Sequence, residues 1–175
     1  MYKIFALSAL CISQTACSII SPIPTWELIK AAGSASSTAI MSRPGEAKNT
    51  VYHYHAPFSE LCIEYNPQTQ VADIVPALQS ALRHLNIESR LYETSTVTTK
   101  CSIWLKYSAL VEWGTPPSSD DFRPYISNAA LTLQTSAGMV LSSSNYILDS
   151  SFLTSKWATT QDKLGPVVTA LITGF

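Results

Sequence analysis

At 175 residues the chain has the length of one domain, or of one domain with a tail. Its 11 basic and 12 acidic residues leave a net charge of −1, and charged residues make up only 13%, about half the ~25% of an average globular protein. That balance argues against a nucleic-acid binder, which needs a basic stripe to neutralise phosphates, and 46% hydrophobic residues argue against a disordered chain.

The first segment in chain order reads as an address. Lys3 precedes a nine-residue apolar run from Ile4 to Ile12, and a polar stretch then leads to Ala16 and Cys17. Such a run is far shorter than the about 20 apolar residues of a membrane-spanning helix. It has the length of the apolar region of a secretory signal peptide. With Thr15, Ala16 and Cys17 at the end of this segment, the chain resembles the bacterial lipoprotein class, although Gln14 stands where that class carries leucine. The resemblance implies removal of residues 1–16 and lipid attachment to Cys17, with acylation of its freed amine. Two or more acyl chains hold a protein stably on a membrane. Ser18 is not the aspartate that favours inner-membrane retention in this class. The implied location is therefore the outer membrane, on its periplasmic face.

Residues 17–48 read as a lipidated N-terminus and tether. Thr25 and Gly33 bracket a short helix carrying Trp26 and Ile29 on one side, and Gly33–Thr38 is a flexible spacer composition. Residues 49–175 then form a single domain. Val51–His55 and Leu61–Tyr65 read as short strands. Ile74, Val75, Leu78, Leu82 and Leu85 recur at helical spacing, with Asp73 as N-cap, Pro76 in the first turn and Asn86 as the left-handed stop. Ile87–Tyr92 reads as a strand. Cys101–Trp113 is the clearest one, with Ile103, Leu105, Tyr107, Ala109, Val111 and Trp113 sharing a face. A polar loop from Gly114 to Asp121 follows. Ala129, Leu131 and Leu133 mark the next strand, Ala137-Gly138 a hairpin turn and Met139–Leu148 the return. The last helix spans about Gln161–Thr173, with Pro166 near its start.

This order predicts an α+β fold, a two-layer sandwich of a mostly antiparallel sheet of about five strands with two helices on one face. The element order also resembles that of the lipopolysaccharide-assembly lipoproteins and transporter-auxiliary lipoproteins, without a shared sequence motif, and an order of elements transfers no activity.

With Cys17 taken by lipid and Cys11 removed with the signal peptide, Cys62 and Cys101 remain. In an oxidising compartment they are candidates for a disulfide, which would constrain the unfolded chain by roughly 3–4 kcal/mol. Strand parity sets them on opposite faces unless Cys101 precedes its strand, so two free buried thiols stay open as the alternative.

His53 and His55 are an i, i+2 pair without a third ligand, and no metal or cofactor is expected. His84 reads as a surface residue at a helix end. Asp120, Asp121 and Arg123 occupy the loop before the hairpin, explained by turn chemistry and a local ion pair. Trp104 lies on the polar face of its strand, where it is either a contact anchor or is covered by the helices. Trp157 follows Lys156 beside a serine-rich loop. Trp104, Asp120, Asp121, Arg123 and Trp157 are thus the candidate partner contacts, and no catalytic residue is nominated. The function these features favour is an accessory or adaptor protein of the cell envelope, binding another envelope protein without turnover. The alternative is a small-ligand binder or an enzyme acting on cell-wall or lipid material.

Overall fold

A computed structural model of the chain describes residues 44–69, 71–93, 101–117, 119–149 and 153–175. The expected signal peptide, Cys17 and the tether helix lie outside these residues. The domain is an α+β sandwich in which one sheet is backed by helices. Its strands are β1 (Ala47–Tyr52), β2 (Glu60–Glu64), β3 (Glu88–Tyr92), β4 (Ile103–Gly114), β5 (Arg123–Thr135) and β6 (Val140–Ile147). The helices are α1 (Ile74–His84), the single turn α2 (Leu153–Lys156) and α3 (Thr160–Thr173).

The six strands form one sheet in the order β1-β6-β5-β4-β2-β3. The successive pairs β1–β6, β6–β5 and β5–β4 are antiparallel, whereas β2 pairs parallel with both β3 and β4. Parallel neighbours cannot be joined by a tight hairpin, so the chain crosses over through α1 between β2 and β3. The sheet thus holds one strand more than the sequence suggested. β1 also begins at Ala47 rather than near Val51, and His53 and His55 fall beyond its end.

The core lies between the sheet and the helices. Leu61, Ile63, Leu105, Leu131 and Leu133 face Leu78, Leu82, Leu164, Val168 and Leu171, all essentially shut off from solvent. α1 buries Ile74, Ala77, Leu78, Ala81 and Leu82, the spacing of one helical stripe. Asp73 occupies the N-cap position of α1 but its side chain makes no capping bond, contrary to its expected role. Asn86 adopts a left-handed φ of 59°, and the Ile87 amide donates back to the Leu82 carbonyl at 3.0 Å. This is the helix stop the sequence indicated.

α3 is capped at both ends. The Thr159 hydroxyl accepts from the Asp162 amide, and Gly174 closes the helix at φ 85°. Pro166 sits past the first turn rather than near the start, inside α3. A proline there deprives the carbonyl four residues earlier, that of Asp162, of its helical donor. The Gly45 amide supplies the replacement, donating to the Asp162 oxygen at 2.8 Å. A break in one helix thereby docks the segment that leads into β1.

Candidate functional site

The β4–β5 pairing runs farther than the rest of the sheet. β6 leaves β5 at the Asn128–Ile147 pair, while β4 and β5 stay paired to Gly114 and Arg123. A bulge between Leu110 and Val111, where Ser127 is the extra residue opposite, marks the start of this two-stranded arm. Near its end the rings of Trp113 and Phe122 stack at 6.1 Å with a 14° interplanar angle. Both rings face water, Trp113 at 58% exposure and Phe122 at 66%. Alternation placed Trp113 on the face of Leu105, and that parity does not bring burial with it. The strand outruns the helices, so the same parity that buries Leu105 leaves Trp113 uncovered.

At the root of the arm lies a cleft of about 530 Å³, lined on one side by Val111, Pro124, Tyr125 and Ile126 and on the other by Lys156 to Thr160 and Lys163. Val71, Ala72 and Asp73, leading into α1, complete it. The Tyr125 ring meets Trp157 edge to face at 5.3 Å, and the Lys156 ammonium sits 4.2 Å from the Tyr125 ring centre. The Tyr125 hydroxyl donates to Glu112 at 2.7 Å. That bond, with a second from Ser127, holds the Glu112 carboxyl below its ordinary pKa.

Lys163 is the unusual member. It is 2% exposed, and its Nζ donates to the carbonyls of Ile126 at 3.0 Å and Lys156 at 2.8 Å. It thereby clamps α3 to the arm and to α2. No carboxylate among the described residues forms an ion pair with it; the three ion pairs there are Lys48–Glu46, Lys106–Glu64 and Arg123–Asp121. Burial pulls its pKa from 10.5 to about 8, with Asp73 opposing that shift and Lys156 adding to it. The Tyr146 hydroxyl, also buried, has no hydrogen-bond partner, and burial pushes its pKa up to about 12.

A second cluster forms at the opposite end of β4. Cys62 and Cys101 are joined in a disulfide with Cα atoms 6.0 Å apart. β4 begins at Ile103, so Cys101 precedes its strand and parity does not constrain it. The bridge ties β2 to the entry of β4 and is buried. Beside it the Trp104 ring packs on Tyr92 at 6.0 Å. Trp104 pairs across from Cys62 while Leu105 beside it faces the helices, so Trp104 lies on the face away from them. Covering of Trp104 by the helices is thereby overturned. The cavity beside the disulfide measures about 180 Å³, below the roughly 300–1,000 Å³ of ligand pockets.

The candidate contacts therefore do not form one patch. Trp104 is ten residues from the end of β4, ~33 Å at strand rise. Arg123 begins β5 rather than lying in the loop, and pairs with Asp121 at 3.3 Å across exposed surface. Asp120 flanks this pair, and Trp157 belongs to the cleft. His53 and His55 gather no third ligand, and among the described residues no three His, Cys, Asp or Glu side chains cluster. His55 instead packs between Tyr52 and Phe58. Sequence reasoning passed over the Trp113–Phe122 stack and Lys163. The one available signal was Lys163 on a helix whose neighbours Leu164 and Val167 are core residues.

No protein-family model and no curated protein matches the chain. Solved structures do. A PelC dodecamer from Paraburkholderia phytofirmans, a variant with one leucine replaced by methionine, aligns at TM-score 0.50 and 12% identity, over 74% of this chain and 96% of that one. A second PelC dodecamer from the same organism aligns at TM-score 0.47 and 15% identity, over 70% of this chain and 98% of that one. At such identity the likeness concerns the fold.

Proposed function

We propose that this protein is a lipid-anchored periplasmic accessory protein of the bacterial cell envelope, tethered through Cys17 at the outer membrane and binding another envelope protein without turnover. The observation that carries this reading is the exposed Trp113–Phe122 stack on an arm that projects beyond the sheet. Rigid aromatics are the residues that anchor protein interfaces, since each brings large apolar area with few rotatable bonds. The Cys62–Cys101 bridge supports export, because disulfides persist in oxidising compartments. Among the described residues no helix is long and apolar enough to cross a membrane.

A second reading has its own support. The fold neighbours are dodecamers, and the arm then serves contacts between copies of this chain.

Crosslinking in intact cells tests the arm. The wild-type chain is expected to give a discrete adduct, and Trp113→Ala with Phe122→Ala to lose it while the thermal midpoint stays within about 2 °C, as for surface substitutions. The adduct's mass separates an envelope protein from a second copy of the chain. An adduct of undiminished yield in the double variant would sink both readings.

A further inference from the structure

The arm leaves the cleft at its root without a role. That cleft holds a buried cation that forms no ion pair among the described residues, with the Asp73 carboxylate in the same lining acting on it only at longer range. An ammonium removed from water costs several kcal/mol unless it is paired and fully hydrogen-bonded. Lys163 has three N–H donors, and two described acceptors, the carbonyls of Ile126 and Lys156, take two of them. The cleft it lines has a volume of about 530 Å³, inside the roughly 300–1,000 Å³ range of small-ligand sites. Its walls are apolar and aromatic, from Val111, Pro124, Tyr125 and Trp157, with Lys156 as a second cation at the rim.

We propose that this cleft is a binding site for a small organic carboxylate with a ring-shaped or apolar body. The carboxylate would accept from the Lys163 ammonium, with Lys156 nearby, and the body would lie against Trp157, Pro124 and Val111. A monoanion matches the single buried cation. A phosphate would bring two negative charges beside that cation, and the cleft's lining holds no arginine fork to balance them.

The charged and titratable groups around Lys163 come from every element packed on it. They are Asp73 before α1, Tyr125 and, behind it, Glu112 on the arm, Tyr146 on β6, Lys156 on α2 and Asp162 on α3 itself. Lys163 itself, its pKa lowered by burial, releases its proton around pH 8. An anion needs the charged form. Affinity is therefore full below pH 8 and falls about tenfold per pH unit above it, and binding at pH 8 takes up protons.

The experiment is a calorimetric titration of the full oxidised chain with benzoate, benzyl alcohol, glucuronate and inorganic phosphate at pH 7 and pH 9. Saturable benzoate binding, weaker at pH 9, with benzyl alcohol failing to bind, is the expected result. Glucuronate binding more tightly than benzoate would assign the body to a sugar acid, and the reverse to a free aromatic or aliphatic acid. Lys163→Met is expected to lower benzoate affinity at least tenfold. If that variant does not fold, acetic anhydride labelling of wild-type Lys163 decides, since bound benzoate must slow its acetylation. Benzyl alcohol binding as well as benzoate, phosphate outcompeting both acids, or acetylation unaffected by benzoate would overturn the proposal.

Discussion

Replacing Cys62 and Cys101 together by alanine is expected to cost about 4 kcal/mol of folding stability, the chain-entropy value for a loop of this size. The bridge spans a sequence separation of 39. The closed loop contains α1 and β3 and ends at the entry of β4, so it fastens the sheet where its pairings are parallel. Parallel pairing brings together strands separated by a long crossover, and its loop-closure cost must be met before the contacts form. The antiparallel half, β4-β5-β6-β1, is joined largely by hairpins and depends on the bridge less. Denaturant unfolding of the oxidised chain and the double variant should differ by that amount, with a thermal midpoint lower by roughly 10–15 °C. Equal midpoints would show that the crossover holds itself in place.

The second large effect concerns two glycines near Pro166. A Cβ built on Gly45 falls 2.5 Å from the Lys163 carbonyl oxygen and 2.9 Å from its Cα, both backbone atoms of α3. Neither atom can swing aside as a side chain can. Gly45→Ala must push the segment before β1 away from α3, and with it the Gly45 amide that satisfies the Asp162 carbonyl. We expect a loss of about 2–3 kcal/mol, the range of overpacking combined with one unsatisfied buried acceptor. Gly165 is the control. A Cβ there meets nothing within 4 Å, and alanine in a helix interior is favoured over glycine by about 0.5–1 kcal/mol. Gly165→Ala should therefore raise stability where Gly45→Ala lowers it. Equal effects of the two in urea unfolding would contradict the docking role given to the Gly45 amide.

What the chain disclosed in advance follows from which signals are local. The stripe Ile74, Leu78, Leu82 and the alternation Leu131, Leu133 repeat over short distances, so α1, β5 and the two-layer class were legible. So was Asn86 as a helix stop. The parallel pairings were not, because strand order is set by contacts between residues far apart in sequence. Alternation placed Trp113 on the face of Leu105 without disclosing that it is exposed there. Period 2 reports which side of a strand a residue takes, and says nothing about whether a helix extends over that side. Lys163 was missed for a related reason. A lysine among core residues becomes a clamp only when the carbonyls of Ile126 and Lys156, 37 and 7 residues away, arrive around it.

Trp104 shows the converse. Its neighbours Ser102, Lys106 and Ser108 marked a polar face correctly, and the ring is only partly covered there, against Tyr92. The nominated contacts Asp120 and Asp121, on the connection between β4 and β5, and Arg123, the first residue of β5, lie beside the exposed stack, because turn residues and arm tip are the same segment of chain. Trp157 was nominated for a basic neighbour and an exposed position, and it proved to meet Tyr125 edge to face in the cleft.

The central claim of the account is that this domain works while tethered by lipid on Cys17. Fractionation of cells producing the wild-type chain and Cys17→Ala addresses it directly. The account predicts the wild-type protein in the outer-membrane fraction, with a mature N-terminus at Cys17 carrying the mass of its acyl groups, and the variant released from that membrane. A Cys17→Ala chain that remains in the outer-membrane fraction would contradict it.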